Sequence, residues 1–404
     1  MKQKIVVINK IRYNLMNYDN LAPFDCEIHF IGTHKYSESV PDKWKDRCST
    51  FWSLDELTFE ALDLFINQLV PVERLICFAE EDLYLAAVLR ERHNIPGPKP
   101  TDIAPFRDKF LMKSLVAAQS IRVPRFVRLY NLGENCREIY AAAVEMLGMP
   151  FVIKPRLGMA NQGVFFIQEI EDLSKIMNDK IFAKAIYMAE QYISGPMFHV
   201  DTLIWGGHIQ DISISEYNVP PVEARKGPTG SFIIDALSND FQRLHDLNAR
   251  VLAALKAPDG CTHAEYFKGE DGEFYFCEVG ARIGGTQIIP VIEKVKGYSF
   301  ARRWFSLESG IPYSSDEATT TEPFCGFIDF PIPAYSTITD LILAPPLAGV
   351  ELIEQRVCIG QKTGAPVLEQ NRAISFLVSD VSPQAVAQKI NELIALRPVR
   401  SEPL

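Results

Sequence analysis

Residues 261–285 constrain this chain more than any other stretch. Residues 261–267 alternate in polarity and are rich in aromatics, Lys268-Gly-Glu-Asp-Gly272 carries turn chemistry, and residues 273–279 read as a second strand. The segment is expected to form a β-hairpin. Glu265 and Glu278 lie at similar distances from the centre of the turn, so they should meet across the pair, with the register open by a residue or two. Two facing carboxylates repel unless a cation sits between them. Mg²⁺ takes one or two carboxylates plus phosphate oxygens, and Arg282, shortly after Glu278, presents a planar fork suited to phosphate. The residues by themselves leave a solvated acidic hairpin open as the other reading.

A chain of 404 residues is too long for one small core and suits two or three domains. Short apolar runs at 5–8, 26–31 and 75–78 are separated by helix-length stretches, notably 58–69 and 82–92, a pattern that predicts a parallel α/β domain. Asn94-Ile-Pro-Gly-Pro-Lys-Pro100 interrupts it and sets a boundary near residue 101. A helix is expected over 106–119, then an edge strand over 121–126, because Pro124 cannot donate to a central ladder. A helix over 137–147 ends at Gly148, and residues 151–154 restart as a strand. The loop 157–163 joins that strand to another at 164–167. It is therefore a hairpin tip, which excludes a Walker-type phosphate loop, since that motif needs a helix next. Further strands are expected at 183–193, and at 198–205 and 209–215 about Gly206-Gly207, with helices at 235–255 and 300–310. The expected class is α/β and α+β: an N-terminal parallel α/β domain (1–100), a central domain (101–322) with a flap lobe at about 120–193, and a small C-terminal α+β domain (323–404). That last part mixes short Pro-containing strands with a helix over 383–395.

The net charge of −10 disfavours nonspecific binding to nucleic acid or anionic lipid, so neither is expected as a partner. Any polyanion must meet positive charge that is local. No apolar run reaches the ~18 residues of a membrane span, and the opening segment is too short for a signal peptide. The 8 cysteines include no C-x-x-C pair, so neither a zinc site nor a disulfide frame is suggested, and a reducing cytoplasm is the expected setting.

Several residues carry chemistry in this order. Lys109 opens a helix just past the first boundary, where a lysine is ordinarily solvated. Lys154 ends an apolar strand before a loop bearing Gly158 and Gly163; such a loop can bring backbone N–H groups over phosphates while the ammonium supplies a point charge. Glu190, Gln191, Tyr192 and Ile193 end a strand whose backbone can face a purine edge. His263 shares a strand face with Glu265. Gly284 and Gly285 would let a substrate approach the backbone, and the irregular stretch 217–230, with Arg225, is either a substrate contact or a surface loop.

Over residues 101–297 this order resembles the ATP-grasp superfamily, and Pro96-Gly-Pro98, Arg107-Asp-Lys-Phe-Leu-Met112 and Arg282-Ile-Gly-Gly285 look most like its L-amino acid ligases and related carboxylate–amine ligases. The resemblance implies an ATP-grasp fold, with ATP and Mg²⁺, two ions in all, as cofactors. It implies Lys109 and Lys154 on the nucleotide, Gly158, Asn161 and Gly163 in the phosphate loop, Glu190–Ile193 along the adenine, and Glu265 and Glu278 as metal ligands. Arg282 and Lys154 become the catalytic cations, with Arg282, Gly284, Gly285, His263 and Arg225 towards a small carboxylate and an amine. The implied reaction is amide formation through an acyl phosphate, in a protein that forms a homodimer in one reading. Three positions depart from the pattern. Met197 stands where many relatives place a ribose-binding glutamate, which makes His199 the candidate substitute; Gly280 stands where many have a metal-binding asparagine; and Asn161 stands for serine. Met197 and Gly280 keep open a nucleotide-binding module without catalysis, and an ATP-grasp carboxylase is the other enzyme reading.

Overall fold

The computed structural model describes residues 2–11, 25–131, 135–159, 162–177, 185–221, 227–311, 323–365 and 372–404. The first layer is a four-stranded parallel sheet in the order Thr50–Leu54, Cys26–Thr33, Gln3–Asn9, Arg74–Cys77. Ile5, Val6, Val7 and Ile8 are all buried because both faces of this sheet are covered, as parallel sheets require. One face packs Val6, Ile8 and Leu75 against Leu62, Phe65 and Leu89 of the helices Phe59–Asn67 and Leu83–Arg92. The other packs Ile5, Val7, Phe30 and Phe78 against Phe300, Trp304 and Phe305 of helix Phe300–Ser309. The N-terminal layer therefore shares a core with a helix from the far end of the central region.

A long helix was expected over 106–119. Two are found, Pro100–Arg107 and Lys109–Ala118, broken at Asp108. Asp108 has an extended backbone and its carboxylate accepts from the N–H groups of Phe110 and Leu111, so it caps the second helix rather than continuing the first. The expected edge strand begins later, at Phe126–Arg128, and does lie at the edge of its sheet, next to Tyr187–Gln191. Phe151–Pro155 and Phe165–Ile167 complete this antiparallel flap sheet, joined by the glycine-bearing loop as a hairpin. Helices Cys136–Leu147 and Ile170–Met177 cover it through Ile139, Ala143 and Leu173.

The central sheet has eight strands, in the order Phe274–Gly280, Gly260–Lys268, Met197–Trp205, His208–Tyr217, Thr229–Ile233, Phe324–Pro331, Arg372–Asp380, Val350–Gln355. The strands after residue 322 thus extend the central sheet: Phe324–Pro331 pairs with Thr229–Ile233 and satisfies what would otherwise be an open edge. Helix Pro383–Leu396 packs Val386, Ile390 and Leu393 on Ile328, Phe330 and Phe376. A separate two-stranded sheet, Ser336–Leu341 with Val399–Pro403, closes the C-terminal part.

Candidate active site

The hairpin places Glu265 directly opposite Glu278, so the two share one face of the sheet, and a register irregularity follows immediately after Glu265. The repulsion is relieved from three directions. Lys109 Nζ lies 3.4 Å and Lys154 Nζ 3.9 Å from Glu278 Oε2, and the Tyr217 hydroxyl donates to Glu265 Oε1 at 2.9 Å. Burial alone would raise the Glu278 carboxyl, but Lys109, Lys154 and Lys113 outweigh it and hold the group down at about 2. Burial pushes the Tyr217 phenol well up, and the Glu265 charge adds to this, so its hydroxyl remains a donor.

Lys154 also donates to Glu190 Oε1 at 2.7 Å, while Lys113, fully buried, lies 3.1 Å from Glu190 Oε2. Burial lowers Lys113, whereas for Lys154 the Glu190, Cys277 and Glu278 neighbours overcome burial and raise it. Glu190 is held below its ordinary range, against burial, by both lysines. An ionised acceptor flanked by cations therefore stands at the end of the flap strand.

Most of these groups line one cleft between the flap and the central sheet. Lys109, Lys154, Gly158, Glu190, Gln191, Tyr192, Ile193, Glu265 and Glu278 all contribute to its wall, as do Met197, Phe166 and Phe267. Gly163 lies between the wall residues Gln162 and Val164. Asn161 and Arg225 lie outside the described residues. Three consecutive residues tie the flap root to the helix pair: Arg107 Nη2 donates to Leu157 O at 3.2 Å, Asp108 pairs with both Nε and Nη2 of Arg156, and Lys109 Nζ donates to Gly158 O at 2.6 Å.

His199, expected at the ribose, does not reach the cleft. It shares a strand face with Met197 but lies deeper, under the Tyr217 ring at 4.9 Å, and only 1% exposed. Its Nδ1 is 2.7 Å from Asp201 Oδ2 and its Nε2 2.8 Å from Ser231 Oγ, so both ring nitrogens are engaged. His263 shares the face of Glu265 as expected; its Nδ1 is 2.9 Å from Asp201 Oδ1 and its Nε2 3.7 Å from Glu265 Oε1. Burial would lower His263, but Asp201 and Glu265 hold it up at about 9. His199, Asp201 and His263 bring ligand atoms within 4.8 Å of one another, yet hydrogen bonds account for the three of them. Gly284 has a packing reason as well: a Cβ there would lie 2.7 Å from Asp201 Oδ1 and 2.8 Å from Ile288. Gly285 faces open space.

Arg282 stands beyond Glu265, gripped by a residue the sequence did not mark. Its Nε donates to Glu80 Oε2 at 2.7 Å and its Nη1 to Ile283 O at 2.8 Å. Glu80, Lys113 and Asp201 are not singled out by the sequence; Arg107 enters there only within the motif 107–112, and Tyr217 only as the start of the stretch 217–230.

A glycine-jointed flap sheet closing a cleft over an antiparallel sheet that bears paired carboxylates and opposed lysines is the ATP-grasp architecture. Residues 147–290 match the family model of the ATP-grasp domain. It is 29% identical over 258 residues to an L-arginine-specific L-amino acid ligase of Bacillus subtilis, a match covering 62% of this chain and 61% of that protein. The crystal structure of an L-amino acid ligase from Bacillus licheniformis superposes with a TM-score of 0.74 at 19% identity, covering 100% of both chains. The biotin carboxylase domain of the Hydrogenobacter thermophilus 2-oxoglutarate carboxylase, solved with MgADP, ADP and bicarbonate, gives 0.69 at 16% identity, covering 100% of this chain and 91% of that one. Among the described residues no helix is long and apolar enough to cross a membrane.

Proposed function

We propose that this protein is an ATP-dependent carboxylate–amine ligase that joins an amino acid or small carboxylate to an amino acid. The observation that carries the reading is the pairing of Glu265 with Glu278 on one rung, with Lys109 and Lys154 within 3.9 Å of Glu278 at the floor of the cleft. A hard divalent ion fits this donor set. Glu265 and Glu278 would hold Mg²⁺, which supplies charge neutralisation at phosphate oxygens when bound. Likeness to an L-amino acid ligase of Bacillus subtilis supports the substrate class.

In this reading a carboxylate oxygen attacks the γ-phosphorus of ATP, the bond to the β,γ-bridging oxygen breaks, and ADP leaves. An amine then attacks the acyl carbon of the acyl phosphate, loses a proton, and expels inorganic phosphate. Lys154 and Arg282 balance charge on the transferring group, and Arg282 stays close to the oxyanion of the second step. No side-chain nucleophile is needed. The flap loop, held by Lys109 and Arg107, excludes water from the acyl phosphate. Glu190 accepts from the purine amino group, with the backbone of 191–193 beside it. Met197 leaves the ribose without its usual carboxylate, so affinity depends more on the phosphate end.

The test is ADP release with pooled amino acids, followed by mass detection of an amide product. ATP-dependent thermal stabilisation without amino-acid-dependent ADP release would overturn the ligase reading in favour of a binding module.

A further inference from the structure

Glu80 lies outside the central sheet altogether. It sits in the short turn Glu80–Asp82, just past the carboxyl end of strand Arg74–Cys77 in the N-terminal parallel sheet. Loops at that end of a parallel sheet are where α/β layers place ligand-handling groups. Its two carboxylate oxygens are both spent on arginines: Oε2 accepts from Arg282 Nε and Oε1 from Arg107 Nη1, each at 2.7 Å. Arg107 in turn donates to the Leu157 carbonyl at the root of the flap loop.

The grip on Arg282 leaves a defined remainder. Nε goes to Glu80 and one N–H of Nη1 to the Ile283 carbonyl, so Nη2 and the outer edge of the fork stay available, and the side chain keeps 27% exposure. A planar guanidinium held at both Nε and Nη1 has its plane fixed, so it can offer Nη2 in only one direction. Gly280 makes room for this. A Cβ at 280 would lie 3.2 Å from Arg282 Cγ and 3.7 Å from Glu80 Oε2, so the Glu80–Arg282 pair occupies the space that a side chain at 280 would enter.

We propose that Glu80 is a positioning residue for the phosphate site: the N-terminal layer supplies the carboxylate that aims Arg282 at the terminal phosphate of ATP, in the space left by Gly280. The inference rests on the reading of Arg282 as a phosphate-binding residue. Through Arg107, the same carboxylate ties that aim to the root of the flap. A plain inter-layer salt bridge would also hold the two layers together, but it would not distinguish one nucleotide from another.

The experiment measures Kd for MgATP and MgADP by calorimetry, without amino acids, for wild type, Glu80→Gln, Arg282→Ala and the double variant, with Tm as the folding control. Gln keeps the shape of Glu80 and removes its charge. Arg282→Ala is expected to lower the preference for ATP over ADP by about tenfold. Glu80→Gln is expected to lower it by about threefold or more, and the double variant to fall no further than Arg282→Ala, since both act through one guanidinium. Gly280→Val, which presses on the pair from the other side and adds no metal ligand, should reproduce the Glu80→Gln loss if Glu80→Gln does not fold. A wild-type preference in Glu80→Gln, or in a folded Gly280→Val, beside a diminished one in Arg282→Ala overturns the role of Glu80 alone. An undiminished preference in Arg282→Ala, or no nucleotide binding by wild type, overturns the underlying reading of Arg282.

Discussion

Glu265 and Glu278 face each other across one rung of an antiparallel hairpin, and their charges are shared out among Tyr217, Lys109 and Lys154. Like charges directly opposite on a sheet are destabilising, and under the function proposed above this rung is held for what it binds. Replacing either acid should therefore leave the protein folded.

Glu278→Ala and Arg282→Ala are each expected to retain less than about a tenth of wild-type ATP-dependent turnover. Circular dichroism should be that of the folded protein in both, with Tm lowered in Glu278→Ala because the lysines that hold its carboxyl at about 2 lose their partner. Turnover above that level in either variant, measured as ADP release, counts against its assigned role.

Tyr217→Phe removes the hydroxyl that donates to Glu265 while keeping the ring over His199. Loss of a partner that orients a metal ligand ordinarily weakens metal binding by about 10–100-fold. The Mg²⁺ concentration for half-maximal ADP release should rise by about tenfold or more, with turnover recovering at saturating Mg²⁺.

Asp108→Ala removes both a helix cap and the acceptor for Arg156 at the flap root. The cap by itself contributes about 1 kcal/mol. Amide exchange in residues 151–159 is expected to accelerate relative to the N-terminal sheet. Unchanged exchange there would mean that the flap root is held from elsewhere.

Asp201 supplies a pH test in nucleotide- and metal-free protein. Burial alone would raise its carboxyl, but the imidazoles of His263 and His199 outweigh burial and hold it well below its ordinary 3.8. A carboxylate depressed on folding stabilises fully above its unfolded value, and that contribution disappears as pH falls below 3.8 towards the folded value. His263, held at about 9 against 6.5, contributes below 6.5 and loses its share as pH rises through 9. Asp201→Asn should cost about 3 kcal/mol near neutrality. Urea denaturation should show the gap to wild type closing at both ends of this range.

Much of the site was legible in the order of residues alone. The hairpin announced itself through alternation and turn chemistry, and Glu265 and Glu278 could be paired to within a residue or two because hairpin register depends on a short loop. Lys154 and the flap loop were readable for the same reason. Residues that meet only through packing were not. Glu80 lies far from Arg282 in the chain, and nothing in Phe78-Ala-Glu-Glu-Asp82 says which acid will face an arginine. His199 is a candidate ribose contact on sequence because Met197 replaces a glutamate, but in the fold it is buried with its ring 4.9 Å from that of Tyr217. The break at Asp108 escaped because a capping aspartate inside an apolar pattern resembles an exposed helical one. The strands after residue 322 were expected in a domain of their own; which open edge they would find is not written in their alternation.

Local order along the chain determined the strands, turns and flap loop, and with them the acids and lysines of the cleft, because each depends on neighbours within a few residues. The tertiary structure alone decided that the N-terminal layer reaches Arg282 through Glu80, that Asp201 lies beneath Gly284, and that the C-terminal strands complete the central sheet. Those contacts arise where separately formed layers bury their apolar faces together, and the polar groups carried into such a junction must pair with whatever the other layer presents.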